Sequence, residues 1–510
     1  MDVVLWWHHH QPWYIDPRTG KARFPWVRLH ACRGYLDMAT AAAHPSADRV
    51  RYTFNFAPSL LDQLEAYADP EFSDLWLDLC TPAASDLDEP TRARLRRRLG
   101  AGGPVPVVPL PELERLRAAI GENQALDHQE LTDLAVLAHL AFVGATLSRR
   151  PLFAELLARG KGYSLADKAN VLAAPRAVCG EIVPAYRALV EAGRIEVTAT
   201  PYFHPILPLI LDSDVMVEGL PDRPRPPRFS YPEDARWHVE AGLDRLEDAF
   251  GRRPGGMWPA EGSVSNGAVA LLGACGVGFC GTDARVLARS SPAGDPGHTW
   301  VDPSGRVAMF FRDTEISDRL GFLYRMDSPA HAAADFVAHA RSWAAHRPDR
   351  VVLTVILDGE NPWENYPNAG WDHLIALQTA LADAADLRVV GPSAHLRDHP
   401  PKGQLERLHA GSWIDATFAV WIGHPEDVRA WKLLGDCRAA IAAADGPRAT
   451  AALNGLRSAE GSDFFWWFGD DFHAADSDLF DELFRDRIRR AWEVLGLTPP
   501  AELDHPIKGG

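Results

Sequence analysis

Short apolar segments rich in Val, Ile, Phe and Trp recur along the chain, and most of them stop abruptly at a polar, aromatic or acidic residue. They are VVLWW (3–7), YTFNF (52–56), IEVTAT (195–200), GMWP (256–259), VGFCGT (277–282), VAMFF (307–311), VVLTVIL (351–357) and LRVVG (387–391). Helical patterns separate them, such as PSLLDQLEAY straight after the second. A strand that is apolar along its whole length has to be covered on both faces, and that is how parallel sheets wrapped in helices read. So many strand–helix units within residues 1–395 favour a closed barrel, although the pattern also admits an open doubly wound sheet.

Two regions break the alternation. Residues from about 83 to 190 read as a helical insertion between the second and third strands. They hold a basic run, RARLRRRL, a proline-rich surface connection, GGPVPVVPLPELERL, and the apolar LAVLAHLAFVGATL (134–147). At 14 residues that last run is too short to span a bilayer and reads as a buried helix. After about residue 400 the strand signal ends. FDELFRDRIRRAWEVLG (480–496) sets Phe480, Leu483, Phe484, Ile488, Trp492 and Leu495 near one helical face. The expected organisation is therefore a barrel over 1–395, with its insertion, and a helical domain over 396–510 that helps to line the cleft.

Charge and cysteine usage narrow the function. The net charge of −17 opposes nonspecific binding to nucleic acid. Six scattered cysteines without a CxxC pair argue against a zinc ribbon and a disulfide framework, and Cys275 and Cys280 read as core. The N-terminal MDVVLWWHHHQPWY has no basic leader and reads as a strand, so the expected location is cytoplasmic, with no membrane partner.

In a parallel barrel every C-terminal strand end opens on one face, where active sites are built. The residues that fall there are His8, His9, His10, Gln11, His204, Glu261, Asp283, Arg312, Asp313, Asp358 and Glu360. Several have a plainer reading: the triple histidine as an expression scar, Glu261 and Asp358 as helix caps, Arg312 and Asp313 as a mutual pair, His204 as a core histidine. Together they suggest glycoside chemistry. Cleaving a glycosidic bond takes one carboxylic acid to protonate the leaving oxygen and a second carboxylate across the sugar. Tryptophan faces stack on sugar rings, and the chain has 17, several beside these residues: Trp13, Trp258, Trp363, Trp413, Trp421, Trp466 and Trp467.

The chain resembles glycoside hydrolase family 57, and within it the amylopullulanase and α-amylase-like members. HHHQP (8–12), GRIEVTATPYFHPILP (193–208), MWPAEGSVS (257–265), ILDGENPWENY (356–366) and GSWIDATFAVWIGHPEDVRAWKLL (411–434) look like its five motif regions. FFRDTEISDRLGF (310–322) and EGSDFFWWFGDDF (460–472) look like stretches of amylopullulanase-type members. The resemblance implies a (β/α)7 barrel with an inserted helical piece and a C-terminal α-helical bundle. One of VAMFF and LRVVG then falls outside the closed barrel.

It also implies a retaining glycosidase acting on α-glucans, with Glu261 as nucleophile and Asp358 as general acid/base. His8, His10, Gln11, His204, Trp258, Arg312, Asp313, Glu360, Trp363, Trp413, Asp463 and Trp466 would line the substrate path. No cofactor is expected, and no motif calls for a structural calcium. The first motif makes branching less expected but does not separate hydrolysis from 4-α-glucanotransfer. The rival readings are a metal-dependent deacetylase- or mannosidase-like enzyme, using the histidine cluster, and a non-catalytic glucan-binding protein.

Overall fold

The computed structural model describes residues 1–345, 351–472 and 477–508. Among them are strands β1 (Asp2–His9), β2 (Tyr52–Phe56), β3 (Ile195–Ala199), β4 (Gly256–Met257), β5 (Phe279–Asp283), β6 (Trp300–Val301), β7 (Ala308–Arg312), β8 (Val352–Asp358) and β9 (Arg388–Val389). Seven run parallel in the order β2-β3-β4-β5-β7-β8-β1, and β1 pairs back to β2, which closes a (β/α)7 barrel. VAMFF supplies a barrel strand and LRVVG does not. β1 pairs with β2 only from Trp6 onward, so its lower edge at Asp2 and Val3 is left for β9.

The strands are buried on both faces because each face meets a different core. Val4, Trp6, Trp258, Phe279, Phe310, Val352 and Ile356 fill the barrel interior. Val3, Leu5 and Trp7 alternate outward into the larger core beneath the helices. Each large side chain so buried contributes about 1.5–3 kcal/mol. Gly281 on β5 makes this interior fit, since a Cβ there would lie 2.9 Å from the Trp258 ring.

The insertion is helical from Leu75–Cys80 through to a 27-residue helix, Leu165–Glu191, which a Ser164–Asp167 capping box starts. Tyr186 of that helix packs edge-on against Phe54 and Phe56 of β2, tying the insertion to the barrel. In the helix His128–Leu140 every residue from Leu131 to Leu140 is buried, as its apolar sequence requires. No helix among the described residues is long and apolar enough to cross a membrane.

Beyond β9 the described elements are helices. In Ser477–Leu495, Phe480, Leu483, Phe484 and Ile488 are buried, while Trp492 and Leu495 are partly buried against the same core. Arg487 on this helix donates to the carbonyls of Trp13 and Ile15, so the C-terminal helices grip the loop that follows β1.

Candidate active site

A cavity of about 880 Å³ opens at the C-terminal ends of the strands. Its floor carries His8, His10, Gln11, His204, Glu261, Asp358 and Glu360, and its far wall Trp413, Ser462, Asp463 and Trp466. Register brings these residues together. His8 on β1 stands level with Asn55 on β2 and with Asp358 on β8. Strand alternation splits the triple histidine, so that His8 and His10 face the cavity while His9 packs among Tyr35, Phe54, Phe56 and Tyr186.

The imidazoles form one stack. His10 lies 3.8 Å from His204 between ring centroids, and His8 lies 5.1 Å from His204. Their tautomers follow from the outer partners. The Asn55 amide nitrogen donates to Thr198 and to the Ala199 carbonyl, which leaves its oxygen to accept from His8 Nδ1 at 2.5 Å. His8 Nε2 then accepts from His204 Nε2 at 3.1 Å, and His204 Nδ1 accepts from the Ser462 hydroxyl at 2.8 Å. Burial and then the neighbouring His10 hold His8 and His204 well below the usual imidazole range, so both are neutral. His10 is different. Burial lowers it, but Asp463 at 2.8 Å, then Glu360 and Glu261, outweigh that and raise it. Its Nδ1 is buried without a partner among the described residues, a donor left over for a ligand.

Glu261 sits in a turn with φ 58° and ψ 22°, a left-handed conformation that non-glycine residues rarely adopt. Gly262 follows at φ +60°, where a Cβ would stand 2.6 Å from Trp258. The Trp413 indole donates to Glu261 Oε2 at 2.8 Å, and the Trp413 amide donates to the Glu261 carbonyl at 3.0 Å. Burial, and after it the charge of Asp358, pushes the Glu261 carboxyl up to about 8. Burial, and after it the charge of Glu360, pushes Asp358 up to about 6, against one donor, the Asn361 amide at 3.1 Å. Glu360 is raised by burial to about 7, although it accepts from the His10 amide, Tyr35 and Gln11.

Several expected wall residues lie elsewhere. Trp258 is fully buried inside the barrel, beneath Glu261, because β4 ends directly under the turn. Trp363 is buried against Trp7 outside the barrel, its indole donating to the Gly359 carbonyl. Arg312 is buried with its donors committed to the Ile356 carbonyl, Asp283 and Asp318. Asp313 caps the short helix Thr314–Asp318 by accepting from the Ile316 amide. None of these four lines the cavity. Conversely, Asn55 and Ser462 orient the imidazoles without having carried any sequence signal. From the loop after β1 and the insertion, Tyr14, Trp26, Trp76 and Arg97 join the wall. Trp26 and Trp76 are tryptophans with no strand-end position to mark them.

His8, His10 and His204 offer nitrogens within 4.8 Å of one another, as do Asp2, His395 and His399 at the opposite barrel end with one carboxylate oxygen. Either group has donors suited to a divalent ion.

The site thus gathers buried, proton-retaining carboxylates and a stack of imidazoles at the mouth of a parallel barrel, the equipment of an acid–base group-transfer enzyme. A model of glycosyl hydrolase family 57 matches residues 4–407, and the chain belongs to that family. Solved structures with a similar fold include a family-57 branching enzyme from Pyrococcus horikoshii, with 15% identity over 99% of this chain and 96% of that one, TM-score 0.61. The α-amylase AmyC of Thermotoga maritima aligns at 14% identity over 97% and 93%, TM-score 0.62. A 4-α-glucanotransferase from Thermococcus litoralis aligns at 13% identity over 97% and 59%, TM-score 0.56. No curated protein sequence matches.

Proposed function

We propose that this protein is a retaining α-glucan glycosidase in which Glu261 is the nucleophile and Asp358 the general acid/base. The observation that carries the reading is that two carboxylates, on strand ends three positions apart around the barrel, line one cavity, where the charge of Asp358 raises the proton affinity of Glu261 and His10 acts on both. Glu261 attacks the anomeric carbon while Asp358 protonates the leaving oxygen, forming a glycosyl-enzyme. Asp358 then deprotonates the water, or the sugar hydroxyl, that resolves it. His10, with its unpartnered Nδ1, Asp463 and Gln11 bind hydroxyls of the bound sugar, and Trp466 and Trp413 supply apolar ring faces.

The proton inventory differs from the simplest version of this mechanism, in which Glu261 is ionised and Asp358 protonated. In the free site Glu261 holds its proton more tightly than Asp358, at about 8 against about 6. Between those values the pair carries one proton in total, which is the number that double displacement uses. A sugar hydroxyl donating to Glu261 favours its ionised form, and a glycosidic oxygen that accepts from Asp358 favours its protonated form. Substrate binding therefore moves the shared proton to Asp358.

Proteins of this fold are described as branching enzyme, amylase and 4-α-glucanotransferase, so the acceptor in the second step is the open variable. We assign water, with glycogen, starch or maltodextrin as substrate, pullulan included; glucanotransfer is the alternative. The three-imidazole cluster favours a second reading, metal-dependent glycan chemistry. The test is the product profile from maltoheptaose and pullulan for the wild type and Glu261→Gln. New reducing ends, lost in the variant, support the proposal. A ladder of longer and shorter maltodextrins without net reducing ends assigns glucanotransfer. Activity abolished by chelator and retained in the variant overturns it in favour of the metal-dependent reading.

A further inference from the structure

Arg312 ends β7 and does not reach the cavity, yet three anchors converge on it. Its Nε donates to the Ile356 carbonyl at 2.7 Å, Nη1 pairs with Asp283 at 3.4 Å, and Nη2 pairs with Asp318. Asp283 is fully buried and also accepts from Arg285 Nε at 2.9 Å and from the Thr314 hydroxyl at 3.1 Å. So held, the Arg312 guanidinium lies 5.3 Å from the Trp413 ring centroid, within reach of a cation–π contact. Arg285 meets the same tryptophan from its backbone side, donating to the Trp413 carbonyl, and its other arm pairs with Asp415 at 3.0 Å. Trp413 also packs edge-on against Trp258, with ring centroids 5.4 Å apart.

Trp413 in turn holds Glu261 at two points, the carboxylate by its indole N–H and the main chain by its amide. Next along both segments Val264 and Gly411 exchange two backbone hydrogen bonds at 2.8 and 3.0 Å, which fixes their register. Glu261 needs this support. Its left-handed backbone is strained and persists only where the surroundings over-determine it. The indole is also the one hydrogen bond its carboxylate receives among the described residues.

We propose that Arg312, anchored by Asp283, is a positioning residue for Glu261 that acts through Trp413. It clamps the indole plane so that the N–H meets the carboxylate and the turn keeps its strained form. The inference rests on Glu261 being the nucleophile. It gives a reason for the buried Asp283 and two arginines to converge behind the site: one rigid tryptophan sets the attack geometry, and misplacing a reacting group by about 1 Å costs about 10²-fold in rate.

The experiment is a double-mutant cycle between Arg312→Gln and Trp413→Phe, read on maltoheptaose and on an α-maltosyl fluoride. The fluoride leaves without acid assistance, so its first-step burst reports the nucleophile and not Asp358. Each single variant is expected to lose about 10²-fold in kcat on both substrates, with KM changed less than about threefold. The alkaline limb of kcat/KM moves upward in both, because Glu261 loses its donor. The double variant is expected to be no slower than Trp413→Phe alone, since Arg312 has nothing left to position. Unchanged kcat in Arg312→Gln, or losses that multiply in the double variant, overturns the proposal. If Arg312→Gln does not fold, Arg312→Lys is read instead; it keeps the charge over the ring and gives up the fork. A loss of about tenfold in kcat with KM unchanged then supports the proposal, and full kcat overturns it. Glu261→Gln separates the two levels: an inactive Glu261→Gln beside a fully active Arg312→Gln removes only this inference, and an active Glu261→Gln removes the nucleophile assignment beneath it.

Discussion

Asp2 and Asp358 stand at opposite ends of one pair of strands, and both are acids drawn into the protein. Asp2 begins β1 at the N-terminal end of the barrel, and Asp358 closes β8 at the other end, level with His8 of β1. Burial pushes both up. At Asp2 a hydrogen bond from His395 at 2.8 Å and two from Arg388 at 2.8 and 2.9 Å reverse the push, and the carboxyl is held below the ordinary carboxylate range. Asp358 has Glu360 as the charge that acts on it most and a single amide donor, and it is left at about 6. The same residue type, removed from water in the same ladder, is an ion at one end and a poised acid at the other. Burial pushes both the same way, and the donors around Asp2 reverse it. In the proposed mechanism the satisfied end is structural and the frustrated end chemical, as is usual for the two faces of a parallel barrel.

The largest way to break this contrast is at the chemical end. Glu261→Gln is expected to lower kcat on maltoheptaose by about 10⁴-fold or more. Asp358→Asn should lower it by about 10²–10⁴-fold while sparing α-maltosyl fluoride in the first step, which burst kinetics would show. Next in size is the pH dependence of kcat/KM. The pair must carry one proton, so activity should fall about tenfold per pH unit below about 6, where both carboxyls are protonated, and above about 8, where neither is. A flat profile across pH 5–9 would remove the carboxylate pair from the mechanism.

The structural end should respond in stability and not in rate. Asp2→Asn is expected to cost about 1–3 kcal/mol by urea denaturation with kcat/KM unchanged at 25 °C. The wild-type contribution of Asp2 has a definite sign. Its folded value is depressed, so the stabilisation is complete above the ordinary aspartate range and is lost as pH falls through the folded value. Glu261 has the opposite sign. Its folded value is raised to about 8, so its ionisation costs stability increasingly as pH rises from the ordinary glutamate range to about 8. The smallest predicted effect follows: Glu261→Gln should raise Tm at pH 9 by about 2–6 °C and by much less at pH 4.5, measured by calorimetry.

The barrel was legible because apolar runs and strand-end polarity are local signals. Eight runs were visible, and the seven-strand closure settled which of them lay outside, through the short pairing of β9 to the lower edge of β1. Site residues directly on strand ends, such as His8, His10, Glu261 and Asp358, were legible for the same reason. Trp258, Trp363, Arg312 and Asp313 carried the same signal but turned inward or backward, because a strand end fixes height along the barrel and not the direction of the side chain. Asn55 was hidden in an ordinary strand. Ser462 reaches His204 from a segment 258 positions away.

By itself, then, the sequence determined a helix-wrapped parallel sheet, a carboxylate-bearing rim and a glycoside-type chemistry, because periodicity and residue type are properties of neighbours in the chain. The tertiary structure alone decided which acids keep their protons, which imidazoles stay neutral and which tryptophan holds Glu261. Those properties depend on groups from different strands and from the C-terminal helices meeting where water is scarce. There, a single donor more or less outweighs anything the residue type prescribes.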